Sequence, residues 1–266
     1  MSAAPIGVFD SGVGGLSILQ AIRAALPHEN LCYVADSGHV PYGTKTPEYL
    51  QQRAIALTQF LLTQEAKAIV VACNTATVAA VRHLRTTVPI PIIAVEPAVK
   101  PAVAVTKTGV VGVIATATTL TSKQFLSLLE QFGAGVTILT QACPHLVHQV
   151  EAGDLGSSMT RALIHQYTSP ILAAGADTLV LGCTHYPFLR PLIHEVVGPE
   201  VMVIDTGAAV TRQVFNVLKA KHLLNHNQQP GQEHFWTSGE AKSAQTLFST
   251  LWGQPVQVQA LPSGFA

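Results

Sequence analysis

Short apolar runs alternate with segments of helical periodicity along almost the whole chain. The runs at residues 6–9, 68–72 and 178–181 contain almost no polar residues. Such runs are typical of strands that are buried on both faces of a parallel sheet. Residues 16–26 and 46–61 instead carry apolar side chains three and four positions apart, as an amphipathic helix does. The alternation predicts an α/β architecture with parallel strands.

The same pattern predicts the remaining elements. Thr46 is expected to cap its helix, with Pro47 in the first turn. Further strands are expected at residues 31–35, 92–95, 110–115, 136–139 and 202–204. Further helices are expected at residues 76–85, 121–132, 146–151, 159–173 and 188–197, with a long one from about Ala208. The tail past Pro230 is expected to add one strand and one helix.

Roughly eight strands fit either one barrel or two open sheets of about four strands each, and we favour two sheets. The stretch 89–101 is interpreted as the crossing between two units. The tail from about residue 208 is expected to return to the first unit. The predicted domains are therefore residues 1–97 with 208–266, and residues 98–207.

Composition indicates a well-buried chain. Hydrophobic residues make up 48% and charged residues 11%, against about 25% charged in an average globular protein. An apolar oligomer interface fits the same composition, so a homodimer is expected. Lys plus Arg and Asp plus Glu are 15 each, which gives no reason to expect a nucleic acid or membrane partner. Charged and polar residues interrupt every long apolar stretch, so we expect a soluble, cytoplasmic protein.

The four cysteines are Cys32, Cys73, Cys143 and Cys183, and they form no CxxC pair. Free thiols in a reducing compartment fit better than a disulfide framework. Cys32 lies inside a predicted strand and is interpreted as a core residue.

The segment IVVACNT at residues 69–75 resembles LVLGCTH at residues 179–185. Generic β-turn-α units can coincide by chance, but a cysteine at the same point of both favours two related halves. Cys73 and Cys183 then lie at carboxyl ends of strands, where α/β sheets bind ligands. Each also precedes a predicted helix, whose N-terminal end favours the thiolate. Both thiols are therefore candidates for a general base or a general acid.

Further polar residues follow predicted strands. Asp10 begins a Gly-rich turn whose free backbone N–H groups can hold an anion, so Asp10 and Ser11 suit a substrate with both a carboxylate and an ammonium group. The turn fits a dinucleotide fingerprint poorly, and a purely structural turn would explain the glycines but not Asp10. Asp205 repeats the Asp-hydroxyl-Gly pattern, which also occurs in all-β aspartic proteases, and is interpreted as a helix cap.

His185 follows Cys183 by two residues and can pair with its thiol. A zinc site formed by Cys73, Cys183 and His185 lacks the usual ligand spacing. No lysine lies beside either cysteine motif, which gives no support to a pyridoxal Schiff base.

Along nearly its whole length the sequence resembles bacterial glutamate racemases. Eight motifs occur in order: IGVFDSGVGGLSIL (6–19), YVADSGHVPYGTKT (33–46), VVACNTA (70–76), AVEPA (94–98), GVIATATT (112–119), ACPHLVHQVEAG (142–153), LGCTHYPFL (181–189) and VIDTGA (203–208).

The resemblance implies two α/β domains with the active site between them. It implies interconversion of L- and D-glutamate without pyridoxal phosphate or metal, which supplies D-glutamate for peptidoglycan. Cys73 is expected to deprotonate D-glutamate with help from Asp10, and Cys183 to deprotonate L-glutamate with help from His185. Glu151 is a further candidate for the proton relay. The positions that match substrate binding are Asp10, Ser11, Tyr42, Gly43, Asn74, Thr75, Thr116, Thr119, Thr184 and His185.

Three rival functions remain open at this point. A racemase of the same superfamily can act on aspartate or a hydantoin, although His185 and the loop at residues 41–45 favour glutamate by resemblance. A non-catalytic amino-acid-binding protein can use the same residues. A cysteine hydrolase needs one nucleophile and one base, and leaves the second strand-end cysteine without a role.

Overall fold

The computed structural model describes residues 3–266, which divide into two compact units. The first comprises the chain up to Val95 together with Gly207–Ala266, and the second comprises Glu96–Thr206. Each unit is built on its own sheet, and every strand pairing in both sheets is parallel. The prediction of two open parallel sheets with α/β architecture is therefore confirmed.

The first unit contains a six-stranded sheet. Its strands are β1 (Ile6–Asp10), β2 (Leu31–Ala35), β3 (Ala68–Val71), β4 (Ile92–Ala94) and two strands from the returning tail, here numbered β9 (Glu233–Thr237) and β10 (Val258–Ala260). Its helices are α1 (Leu16–Ala25), α2 (Pro47–Thr63), α3 (Asn74–Thr87), α10 (Gly207–Ala220) and α11 (Ala241–Trp252). Single turns of 3-10 helix cover Ser37–His39 and Tyr42–Thr44.

The second unit contains a four-stranded sheet. Its strands are β5 (Val110–Ala115), β6 (Thr137–Ala142), β7 (Thr178–Leu181) and β8 (Met202–Ile204). Its helices are α4 (Val99–Val105), α5 (Ala117–Leu120), α6 (Lys123–Phe132), α7 (Pro144–Glu151), α8 (Ser158–Ala173) and α9 (Arg190–Val197). A 3-10 turn at Tyr186–Leu189 leads into α9.

Strand order places the candidate residues on neighbouring strands within each unit. The first sheet has the order β10-β9-β2-β1-β3-β4, and the second has the order β6-β5-β7-β8. Every residue of β1, β2 and β3 is buried. The long apolar runs of the sequence arise because helices cover both faces of these central strands.

Side-chain caps fix several helix starts. The Thr46 hydroxyl accepts the Tyr49 N–H at 3.3 Å, with Pro47 in the first turn, so the predicted start of α2 is confirmed. Ser122 caps α6 in the same way, by accepting the Phe125 N–H at 3.1 Å. The single helix predicted at residues 121–132 is therefore divided: α5 ends at Leu120, and α6 begins after Ser122.

The structure differs from the prediction in two further elements. Helix α4 was not predicted because the stretch 89–101 was interpreted as the crossing between two units; Pro101 lies in the first turn of this helix, where proline is tolerated. The tail contributes two strands rather than one, because β10 pairs with β9 after the predicted helix. No helix within residues 3–266 combines the length and the apolarity that crossing a bilayer requires.

Candidate active site

The two strand-end cysteines lie at equivalent positions of their units. The residue before Cys73, Ala72, donates its N–H to the carbonyl of Phe9 at 2.8 Å. Gly182, the residue before Cys183, donates in the same way to Ile114 at 2.8 Å. Each cysteine therefore follows the last ladder bond between its own strand and the neighbouring strand, β1 or β5.

The same correspondence extends to the neighbouring strands. Ser11 lies two residues past Phe9, and Thr116 lies two residues past Ile114, so each unit carries a hydroxyl beside its cysteine strand. Two related half-sites, each with a thiol and a hydroxyl at the carboxyl edge of its sheet, account for the sequence echo. Parallel sheets commonly bind ligands at this edge.

Cys73 forms the N-cap of α3. Its sulfur accepts the N–H of Ala76 at 3.4 Å. The thiol lies 3.8 Å from the hydroxyl oxygen of Ser11, and the Ser11 hydroxyl donates to a carboxylate oxygen of Asp10 at 3.4 Å. An N–H donor at a helix start favours the thiolate over the thiol. This half-site can therefore hold a proton or release it.

The Gly-rich turn after β1 fixes the orientation of Asp10. The buried carboxylate accepts the N–H of Gly15 at 2.6 Å, and the hydroxyl of Tyr33 donates to the carbonyl of Gly12 at 2.6 Å. A Cβ atom on Gly15 would lie 2.6 Å from the Cβ of Asp10 and 2.9 Å from the Tyr33 hydroxyl. Glycine is therefore required here by close approach.

Cys183 has a different local environment from the one expected. It follows β7 but lies in a bend, and a turn and the 3-10 segment Tyr186–Leu189 separate it from α9. A helix follows Cys183, as predicted, but Pro187 and a Tyr186 N–H bond to the Cys183 carbonyl form a tight turn first, so α9 begins only at Arg190. A helix N-terminus therefore does not act on this thiol as it does on Cys73.

His185 takes that role at Cys183. Its Nδ1 atom lies 3.8 Å from the Cys183 sulfur, and its Nε2 atom lies 2.6 Å from Oε1 of Glu151. The ring is buried. Burial by itself lowers the pKa of His185, but hydrogen bonds and charge from Cys183 and Glu151 together raise that pKa well above its usual range. The imidazolium is thus favoured beside the Cys183 sulfur.

Asn74 carries the most exceptional buried polar group beside Cys73. The residue is 5% exposed, and neither its amide nitrogen nor its amide oxygen has a hydrogen-bond partner among residues 3–266. A buried amide without partners is costly unless something else binds it. Asn74 directly follows Cys73, and the next residue, Thr75, is buried as well. A small polar molecule beside the Cys73 thiol can satisfy this amide.

Tyr42 and Gly43 lie in the second 3-10 turn of the segment that links β2 to α2. The Tyr42 hydroxyl donates to a carboxylate oxygen of Asp36 at 2.5 Å. Burial, followed by the charge of Asp36, raises the pKa of Tyr42 well above its usual range. Tyr42 and Cys73 belong to the same buried cluster, and the charge of Cys73 acts in the same direction on the pKa of Tyr42.

The threonines expected at the second half-site follow β5 and β7. Thr116 caps α5 by accepting the N–H of Thr119 at 3.3 Å, and the two hydroxyl oxygens lie 2.9 Å apart. Thr184 is buried between Cys183 and His185 in the sequence. All three belong to the second unit, as Cys183 does.

The other two cysteines are core residues. Burial raises the pKa of Cys32 to about 12 and also raises the pKa of Cys143.

Asp205 forms an ion pair with Arg190 at the start of α9. Among residues 3–266, no group of three or more His, Cys, Asp and Glu side chains is arranged to hold a metal ion.

Sequence reasoning missed the partners of Tyr42. Asp36 follows β2, its side chain is fully buried, and Arg53 on α2 binds both of its oxygens, at 2.7 and 2.9 Å. Asp36 stands within the YVADSGHVPYGTKT motif, but no spacing signal links it to Arg53. Only the packing of α2 against this segment brings the two charges together.

Comparison with known proteins identifies the class. The profile of the family described as Asp/Glu/Hydantoin racemase matches residues 13–214, more than half of the chain. A curated glutamate racemase from Methylococcus capsulatus is 56% identical over 98% of this chain and 97% of its own. The crystal structure of glutamate racemase isoform RacE1 from Bacillus anthracis superposes with a TM-score of 0.91, at 32% identity and 99% coverage of both chains.

Two further solved structures carry amino acids. Glutamate racemase from Francisella tularensis, in complex with D-glutamate, has a TM-score of 0.85 at 28% identity and 99% coverage of both chains. The Escherichia coli enzyme, in complex with L-glutamate and an activator, has the same TM-score and identity, and the match covers 97% of this chain and 98% of that one. The chain therefore belongs to the Asp/Glu/Hydantoin racemase family and, within it, to the glutamate racemases. Racemases are isomerases, so the protein is an enzyme of that class.

Proposed function

We propose that this protein interconverts L- and D-glutamate by moving protons through two thiols, without a cofactor. The observation that carries the proposal is the repeated half-site: a strand-end cysteine in each unit, each with its own acid–base partner. Inversion at carbon needs one group to remove a proton from one face and another to deliver a proton to the opposite face. Two equivalent thiols meet that need.

The proposed step is balanced in protons. Starting from D-glutamate, the Cys73 thiolate takes the α-proton, and the electron pair of the broken C–H bond stays on the substrate, shared with its carboxylate. The Cys183 thiol then gives its proton to the other face, which forms L-glutamate. The reverse reaction begins at the Cys183 thiolate. After each turnover the two thiols have exchanged protonation states, and solvent exchange restores them.

Each thiol is proposed to rely on different neighbours. Asp10 acts on Cys73 with the Ser11 hydroxyl between them, since the thiol–hydroxyl and hydroxyl–carboxylate distances are 3.8 and 3.4 Å. His185 stabilises the Cys183 thiolate as an imidazolium, and Glu151 stabilises that imidazolium. Without a cofactor to take up charge, hydrogen-bond donors around the carboxylate must stabilise the developing negative charge.

Substrate binding is proposed for residues of both units. The Asn74 amide offers donors and an acceptor to a molecule with carboxylate and ammonium groups. Binding would break no hydrogen bond of this amide with another of residues 3–266. Relatives in complex with L- and D-glutamate support an amino acid as the ligand. The proposed binding residues are Asp10, Ser11, Tyr42, Gly43, Asn74, Thr75, Thr116, Thr119, Thr184 and His185.

A substrate screen with the purified protein tests this function. Chiral chromatography should show conversion of L- to D-glutamate and of D- to L-glutamate, each approaching an equal mixture. Aspartate and a 5-substituted hydantoin should be inverted at least about 100-fold more slowly, because a site built to bind particular polar groups leaves them unpaired with the wrong substrate. Faster inversion of aspartate would contradict the choice of glutamate. Binding without inversion would favour an amino-acid-binding protein.

The cellular setting follows from the same proposal. We propose that the enzyme works in the cytoplasm and that its D-glutamate is used in peptidoglycan synthesis, which maintains cell shape.

A homodimer is proposed because so few residues are charged and because several large apolar side chains are exposed, among them Met159, Met202 and Leu126. Sedimentation equilibrium at micromolar concentration should give twice the mass of the chain, and a monomer would contradict this part.

A further inference from the structure

The segment between β2 and α2 has little backbone structure of its own. It contains only two single 3-10 turns, closed by the His39 N–H to Asp36 carbonyl bond and the Lys45 N–H to Tyr42 carbonyl bond. Side-chain contacts must therefore fix where Tyr42 lies. Helix α2 supplies these contacts from one face, through residues four positions apart.

The first contact is made by Tyr49, whose hydroxyl oxygen lies 2.5 Å from Nδ1 of His39. The second is made by Arg53, which binds the fully buried carboxylate of Asp36 through two nitrogens, Nε at 2.9 Å and Nη2 at 2.7 Å. That carboxylate accepts the Tyr42 hydroxyl at 2.5 Å. One carboxylate therefore joins Arg53 to Tyr42.

Arg53 is itself anchored to the C-terminal turn, which we define as residues 262–266. Its Nη2 donates to the carbonyl of Phe265 at 2.8 Å, and its Nη1 donates to the carbonyl of Ala266 at 3.3 Å. The turn is closed by the Phe265 N–H bond to the Pro262 carbonyl at 2.8 Å. The Phe265 ring packs edge-on against Phe60 of α2, with the ring centroids 5.6 Å apart.

These contacts form a continuous chain from the C-terminal turn to the surroundings of Cys73. We propose that Arg53 is a positioning residue that couples the C-terminal turn to Tyr42 and thereby sets the affinity of the glutamate site in the first unit. This inference rests on the proposed function and deepens it. Arg53 acts through Asp36 and Tyr42.

The chemistry of arginine suits this task. Its planar guanidinium can bind a carboxylate with two nitrogens and still donate to a carbonyl in the same plane, which a lysine ammonium cannot do as well. It also compensates the buried charge of Asp36, which would otherwise be costly. Tyr42 can then keep its proton and act as the donor to Asp36.

Steady-state kinetics of Arg53→Met, Arg53→Lys and a form lacking residues 265–266 test the proposal. Loss of a charge-assisted contact should raise the KM for D-glutamate about tenfold in Arg53→Met, with kcat changed less than about threefold. Arg53→Lys should restore part of the affinity. The shortened form should shift KM in the same direction, because it removes the carbonyl groups that anchor the guanidinium.

Arg23→Met is the matched control. Arg23 is also a partly buried arginine that ties the body of the first unit to the returning tail, by an ion pair with Glu233 at 2.5 Å. Glu233 begins β9, so this pair lies at the edge of the sheet opposite to Asp10. Its loss should lower the melting temperature but leave KM unchanged. Equal KM values for Arg23→Met and Arg53→Met would overturn the positioning role.

A double variant controls for misfolding of Arg53→Met, in which the buried Asp36 carboxylate would be left unpaired. Asp36→Asn combined with Arg53→Met removes both charges while an amide oxygen can still accept the Tyr42 hydroxyl. We expect this double variant to fold and to keep a raised KM, because the link to the C-terminal turn is lost. A wild-type KM in the double variant would overturn the inference alone. Absence of racemisation by the wild type would overturn the proposed function and, with it, this inference.

Discussion

The Nε2 atom of His185 lies 2.6 Å from Oε1 of Glu151. The other nitrogen of the same ring faces the Cys183 sulfur at 3.8 Å. The carboxylate therefore favours the imidazolium, whose second ring nitrogen faces the thiol. At Cys73 the corresponding donor is a backbone N–H at the start of α3.

The first prediction concerns Glu151→Gln. Removing the carboxylate charge should lower the pKa of His185, because one of the interactions that raise it is lost. NMR titration of the His185 ring, assigned with a His185→Asn spectrum, measures the shift. We also expect kcat with L-glutamate to fall more than kcat with D-glutamate. An unchanged His185 titration would contradict the relay.

The same pair makes stability depend on pH in a defined direction. A histidine whose pKa is raised on folding contributes stability that is fully present below its unfolded pKa of about 6.5, and this stability is lost as pH rises through the folded pKa. Urea unfolding should show the wild type more stable than Glu151→Gln at pH 6, with the gap narrowing in alkaline solution. A gap that widens with pH would contradict this assignment.

The second prediction separates binding from stability at Asn74. Because the amide has no internal partner, Asn74→Leu should leave the melting temperature unchanged or raise it, while KM for glutamate rises about tenfold through lost substrate contacts. Thr77→Val is the control, since the Thr77 hydroxyl is also buried without a partner and lies on the same helix. It should leave KM unchanged. A large loss of stability in Asn74→Leu would contradict the account.

The third prediction concerns the turn that orients Asp10. A methyl group at Gly15 would overlap the Asp10 side chain, so Gly15→Ala should cost about 1–3 kcal/mol of unfolding free energy and displace the carboxylate. Activity should fall in both directions. Gly156→Ala is the control, because nothing lies within 4 Å of a Cβ atom there. Equal effects of the two substitutions would mean that the turn does not position Asp10.

Much of the fold could be predicted because hydrophobic burial determines it. Strands β5, β7 and β8 have the predicted bounds, since each is a short apolar run between polar turns. Helix α4 was missed because its first residues lie in the stretch that was interpreted as the crossing between two units, although the first turn of a helix tolerates Pro101. The second tail strand, β10, was missed because an edge strand of three residues carries little periodic signal.

The site could be predicted only where its residues lie close together in the sequence or at the end of a predicted strand. The thiols stand at strand ends in the sequence itself, and His185 is two residues from Cys183. The exact helix starts after Cys73 and Cys183 were not predicted, because each cysteine is followed by two polar residues and the effect of Pro187 on the turn was not considered. The contact of Arg53 with Asp36 and Phe265 joins three distant parts of the chain, and no local pattern encodes such a contact.

The fourth prediction distinguishes the four thiols by reactivity. Burial raises the pKa of Cys32 to about 12 and that of Cys143 also, so both should resist iodoacetamide at pH 8 in the folded protein. Cys73 and Cys183 should be modified first, and glutamate should slow both reactions. Mass spectrometry of tryptic peptides identifies the labelled residue. Labelling of Cys32 before Cys73 would contradict the assignment.

The central claim is that two thiols exchange protons with one carbon. Its most direct test is the reaction of L- and D-glutamate in deuterated water with the wild type, Cys73→Ala and Cys183→Ala, followed by NMR and chiral chromatography. The wild type should place deuterium at the α-carbon of the inverted product, and both variants should lose inversion. Full inversion by either variant would contradict the two-thiol mechanism.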